Sequence, residues 1–187
     1  MQPLIMPLGG KTPKIHDSAF IAPGTVIIGD VEIGPDASIW YGSVLRGDAH
    51  KIVVGARSNI QDGTIIHVDE PDHGGTPCII GDDVLVGHKC MLHGCTLEDR
   101  AFVGMCATVL DRATVASGGF LAAGAFLGAG KTLPGGEMWA GLPARKFRDL
   151  KPGEDVSMLA GARYYVEEAG HHKSAVADFL GKNSEGF

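Results

Sequence analysis

From Ile15 onward a large aliphatic residue returns at every sixth position: Ile15, Ile21, Ile27, Ile33, Ile39 and Leu45. The series shifts by three residues and resumes at Val54, Ile60 and Ile66, pauses over VDEPDHGGTP, and returns at Ile80, Val86 and Leu92. It then runs unbroken through Leu97, Val103, Val109, Val115, Leu121, Leu127, Leu133 and Trp139. Four residues beyond the aliphatic one stands a small residue, as at Ala19, Thr25, Ala37, Ser43, Ser58 and Thr64, and glycine often follows the aliphatic residue directly. Neither the 3.6-residue period of a helix nor the two-residue period of a strand generates such a pattern. One large and one small position per hexad describe a short straight side followed by a tight turn, and three sides close a triangular coil of about eighteen residues. Coils of this kind stack about 4.8 Å apart, each burying its neighbour's face. The repeat domain spans 10–150.

Past Trp139 the repeat fades. AGLPARKFRDLKPGED supplies a turn and a basic strand, and Pro152 suits the first turn of a helix. The helix is expected over residues 154–180, within a segment 151–181 that packs on the solenoid. Val156, Leu159, Tyr165, Val166 and Ala169 are the candidates for its buried face, Gly161 and Gly170 its weak points, and GKNSEGF its frayed end.

A formal charge of −6, from 16 basic and 22 acidic side chains, argues against a nucleic-acid surface, which needs a basic face. There is no run of 18 apolar residues to span a membrane. The four cysteines, Cys78, Cys90, Cys95 and Cys106, show no C-x-x-C spacing and read as packing residues. The opening MQPLIMPLGGKTPKIHD lacks the apolar stretch of a signal peptide, so a cytoplasmic, reducing location is expected.

The histidines gain meaning from the coil. His67 follows Ile66 as His93 follows Leu92, so both hold the same hexad position. Once the insertion 68–77 loops out, the two lie one above the other about 5 Å apart on the outside, a spacing one zinc can bridge. His88 belongs to the preceding side and points round the corner, placed to meet a neighbouring copy's pair. That geometry favours a homotrimer with metals at its interfaces. Three protein ligands and an open fourth position are the catalytic zinc pattern. The competing reading makes the histidines structural hydrogen-bonding residues. Three imidazoles also accept iron or cobalt.

VLRGD at 44–48, RSNIQDG at 57–63, IIHVDE and VGHKCMLHGC together resemble the gamma-class carbonic anhydrases. The resemblance implies a mainly β fold, a left-handed parallel β-helix in a homotrimer, with zinc held by His67 and His93 of one subunit and His88 of the next. It implies reversible hydration of carbon dioxide to bicarbonate. Arg46 and Asp48 match an arginine and aspartate that pair across subunits, Gln61 a glutamine that hydrogen-bonds the metal's water, and Asn59 and Asp62 polar residues around the site. Two features depart from the pattern. The loop VDEPDHGGTP is compact, where the archetype carries glutamate proton shuttles on a longer loop; Asp69, Glu70 and His73 are the candidates to replace them. Ala160 stands where several relatives carry a tyrosine. The alternatives are a hexapeptide-class acyltransferase, a small-thioester hydrolase, or a metal-binding trimer of weak activity.

Overall fold

The computed structural model describes residues 2–183, apart from the side chains of His73 and Asn183; of the expected frayed end 181–187, residues 181–183 continue the helix and 184–187 lie outside the described residues. The chain winds into a triangular solenoid of parallel strands, most of them two or three residues long. One face stacks Phe20–Ile21, Ser38–Ile39, Asn59–Ile60, Leu85–Val86, Phe102–Val103 and Phe120–Leu121. A second face carries Ile65–His67, Met91–His93, Thr108–Val109 and Phe126–Leu127, and a third carries Cys78–Ile80, Thr96–Leu97, Thr114–Val115 and Thr132–Leu133. Two longer strands, Val26–Ile33 and Val44–Val54, run round the edge between the second and third faces and join them into one sheet.

The hexad aliphatics point inward and fill the interior: Ile27, Ile39, Leu45, Ile60, Ile66, Ile80, Leu92 and Leu97 are all fully buried. The small residues occupy the corners, where the cross-section is too narrow for a larger side chain. Several are hydroxyls that bond across coils, with Ser43 Oγ donating to the Gln61 carbonyl at 3.1 Å and Thr64 Oγ1 to the Gly87 carbonyl at 3.1 Å. These bonds offset the cost of burying a polar group.

The corners also demand left-handed backbone. Asp36, Arg57, Asp83 and Arg100 all adopt φ near +60°, one per coil along a single edge. Their opposite charges meet in the stack: the Arg57 guanidinium donates to both Asp83 carboxylate oxygens at 2.7 and 2.8 Å. Hydrogen bonding from Arg57 holds the Asp83 carboxyl below its ordinary range, and the pair works against the strain of the left-handed turn. Cys106 takes the same conformation, at φ +61°, on another edge where the other coils place Gly42, Gly63, Lys89 and Gly124. It is exposed, unlike Cys78, Cys90 and Cys95, so the expected packing role fails for this one cysteine.

Among the described residues one α-helix, α1 (Glu154–Asn183), follows the solenoid and crosses its first face. Pro152 lies two residues before it, in a turn closed by Gly153 at φ +84°, and not in its first turn. The Arg148 guanidinium clamps Glu154 at 2.7 and 2.8 Å, and this bond with the Lys151 amide lowers the Glu154 carboxyl to about 2. Met158, Ala162 and Ala169 are buried, whereas Val156 is 66% exposed, a correction to the expected apolar face. The reason is steric: Gly161 passes so close that an added Cβ would sit 3.1 Å from Leu85 Cδ1, which sets the helix rotation. Trp40 anchors the middle of α1, with Tyr165 and His172 rings at 5.3 and 4.9 Å, and Tyr41 Oη pairs with His172 Nδ1 at 2.8 Å.

Glycine after the aliphatic residue has a steric origin. A Cβ on Gly55 would overlap the Gly81 carbonyl of the next coil, while at Gly24 there is open space and only φ +78° to accommodate. Gly55→Ala is expected to cost about 3 kcal/mol through overpacking, and Gly24→Ala about 1 kcal/mol through backbone strain. Denaturant unfolding of the two variants checks this order.

Candidate metal centre

His67 and His93 close equivalent strands on the second face and are register partners. Their ring centroids are 5.0 Å apart, and His67 Nδ1 lies 3.0 Å from His93 Nε2. The other nitrogen of each ring faces a carboxylate. His67 Nε2 is 3.1 Å from Asp48 Oδ1, and His93 Nδ1 is 2.8 Å from Asp111 Oδ1.

The two carboxylate contacts assign the tautomers of the neutral rings. A carboxylate only accepts, so His67 donates from Nε2 and His93 from Nδ1. In neutral rings the remaining nitrogens, His67 Nδ1 and His93 Nε2, then carry lone pairs, and those are the two atoms that meet at 3.0 Å. Two lone pairs at this distance repel unless something electrophilic lies between them. Two nitrogens on one tetrahedral zinc stand about 3.3 Å apart at the usual bond length of about 2.05 Å. The donor set and spacing therefore fit a divalent metal with little adjustment. Carboxylates behind both rings are the usual arrangement for raising ligand basicity and fixing ring orientation.

The supporting groups come from neighbouring coils. Asp48 is bonded to the Arg46 guanidinium two residues back on the same strand. Burial opposes its ionisation, but the Arg46 bond, its own backbone amide and His67 outweigh this and hold the carboxyl below its ordinary value. Asp111 lies eighteen residues after His93, one coil on. It was not among the residues singled out from the sequence, although the coil length was signal enough to find it. Asp69, at the start of the insertion, brings Oδ1 to 3.8 Å from His93 Nε2. The ligand atoms of His67, Asp69 and His93 all lie within 4.8 Å of one another, a group that can coordinate a divalent cation.

The remaining predicted residues sit elsewhere in the single chain. His88 occupies the corner between the first and second faces, with Nδ1 2.9 Å from Asp62 Oδ2, and is not part of the His67, Asp69 and His93 group. Asn59 and Gln61 are buried on the first face, the one α1 crosses, with Gln61 Nε2 donating to Asn59 Oδ1 at 3.1 Å. Tyr165 packs on Trp40, while Tyr164 is exposed. Among the described residues no helix is long and apolar enough to cross a membrane.

A family model described as bacterial transferase hexapeptide (six repeats) matches residues 12–47. The chain is 46% identical over 171 residues to a carbonic anhydrase of Geobacillus kaustophilus, covering 91% of this chain and 92% of the relative. It is 44% identical over 172 residues to the mitochondrial gamma carbonic anhydrase 2 of Arabidopsis thaliana, covering 91% of this chain but 62% of that relative. The chain thus spans about three fifths of the plant protein's length. Among solved structures it resembles a Bacillus cereus protein provisionally assigned as an acetyltransferase, with a TM-score of 0.89, 37% identity, and coverage of 94% of this chain and 99% of that one. Identity of 46% over nearly the full length of a carbonic anhydrase, together with a hexapeptide coil that stacks its paired histidines, places the chain in the gamma-carbonic-anhydrase-like family of left-handed β-helix proteins.

Proposed function

We propose that the protein is a metal-dependent carbonic anhydrase, hydrating carbon dioxide to bicarbonate at sites shared between the subunits of a homotrimer. The observation that carries this reading is the convergence of His67 Nδ1 and His93 Nε2, each set as a lone-pair donor by a carboxylate behind it. Zinc, or iron or cobalt in its place, supplies Lewis acidity that makes water a nucleophile near neutral pH. Asp48 and Asp111 hold the two rings in register and keep their protons on the far nitrogens. Asp62 does the same for His88, bonding Nδ1 and leaving Nε2 to reach the neighbouring subunit's pair. Gln61 is the residue assigned to orient the substrate oxygens, with Asn59 holding its amide and so its direction. Arg46 keeps Asp48 ionised. Asp69 stands near enough to His93 to take a proton from the site.

A second copy fits the face that carries the histidines. Leu4, Val26, Val44, Ile65 and Met91 are register partners in one outward column, and Leu4, Ile65 and Met91 are exposed. An apolar stripe left uncovered beside a candidate metal site is what an interface between subunits would bury. A cytoplasmic location accords with the free thiols of Cys78, Cys90, Cys95 and Cys106. Acyl transfer by a single histidine base is the second reading, favoured by the Bacillus cereus neighbour's provisional assignment. It leaves the facing lone pairs without a purpose.

Stopped-flow hydration of carbon dioxide should scale with bound metal and fall at least about 100-fold in His93→Ala. A fully metallated protein no faster than this variant would exclude the hydratase. Asp111→Asn should weaken metal binding by about 10- to 100-fold with the fold intact, read by competition with a chelator of known affinity. Sedimentation equilibrium should give a trimer for the unsubstituted chain and smaller species for Ile65→Asp. A monomer in both cases would remove the shared site.

A further inference from the structure

The insertion that interrupts the repeat is tied down at several points. Val68, directly after His67, is fully buried in the core. The Gly75 amide donates to the Glu70 carbonyl at 3.0 Å, and a Cβ on Gly75 would overlap the Asp69 carbonyl, so glycine lets the loop fold back on Asp69. Thr76 Oγ1 donates to the Gly94 carbonyl at 2.6 Å, and Arg112 Nη1 to the Gly74 carbonyl at 3.1 Å. These bonds hold the loop to the coils that carry His93 and Asp111, and they place the Asp69 carboxylate beside the paired imidazoles.

We propose that Asp69 is a third metal ligand from the same chain, so that one protomer captures a divalent cation before the neighbour's His88 reaches it. The inference rests on the reading that the histidine pair holds a metal. Geometry supports it, since His67, His93 and Asp69 offer donors within 4.8 Å of one another, whereas His88 lies round the corner on Asp62. The carboxylates of Asp48, Asp69 and Asp111 all face these two rings. Two imidazoles and one carboxylate form a three-donor set with positions left open. On assembly the neighbour's His88 takes one of those positions, either beside Asp69 or in its place.

The test is a titration of chelator-stripped full-length protein with cobalt(II) alone, followed by its visible absorption and by equilibrium dialysis. The unsubstituted chain is compared with His88→Ala, His88→Ala/Asp69→Asn and His93→Ala, with far-UV circular dichroism confirming that each is folded. Asp69→Asn is isosteric and lies on an exposed loop. The expected result is that His88→Ala still takes up one cobalt per chain and that adding Asp69→Asn weakens this binding at least tenfold. Equal affinity in the single and double variants overturns the proposal. So does a His88→Ala variant that binds no cobalt while the unsubstituted chain does. If the unsubstituted chain binds no more than His93→Ala, the metal reading itself falls, and Asp69 loses its role with it.

Discussion

Every feature of the molecule depends on coils stacking in register at one strand spacing. The backbone hydrogen bonds between coils set that spacing, and the inward aliphatic ladder makes it worth keeping. Once the stack is fixed, a residue's surroundings are decided by its column more than by its neighbours in sequence. Ile39, Ile60 and Val86 share one interior column although 21 and 26 residues separate them. His67 and His93 share an outer column for the same reason, and so do Arg57 and Asp83 at a corner. A coil of constant pitch therefore brings two side chains within bonding distance wherever equivalent positions carry complementary chemistry.

The same device produces opposite electrostatic outcomes in two columns. At the Arg57 corner a cation and an anion meet, each fulfils the other, and nothing further is needed. On the second face two imidazoles meet with their lone pairs, backed by Asp48 and Asp111, with Asp69 close by. That column gathers three carboxylates around two imidazoles. The first arrangement is complete within the chain, while the second offers donors that can hold a divalent cation.

Two of the three faces are also finished differently. The first is covered by α1, whose Tyr165 and His172 close over Trp40 and whose small residues Gly161 and Ala162 let it lie close to Leu85. The second keeps its apolar column of Leu4, Ile65 and Met91 in the open beside the histidines. Because the chain spends its one described α-helix on the first face, the face with the candidate metal ligands stays free of it.

The hexad period was legible because an aliphatic residue at one phase and a small one at another is a strict steric demand repeated many times. The pairing of His67 with His93 followed from it, since the ten-residue insertion only had to loop out for equal phases to meet. Less regular parts escaped that reasoning. The rotation of α1, which exposes Val156 and buries Met158 and Ala162, depends on a close approach to Leu85 that no helical pattern encodes. The exposure of Cys106 follows from a corner that wants left-handed backbone. The placing of Asp69 beside His93, and the carboxylate of Asp111 behind that ring, required the folded loop and the actual stacking offset. Periodic sequence carries the period because each coil repeats the same local constraint. Loop closure, helix docking and the orientation of a ring are settled by contacts between distant segments, and these exist only once the coils have stacked.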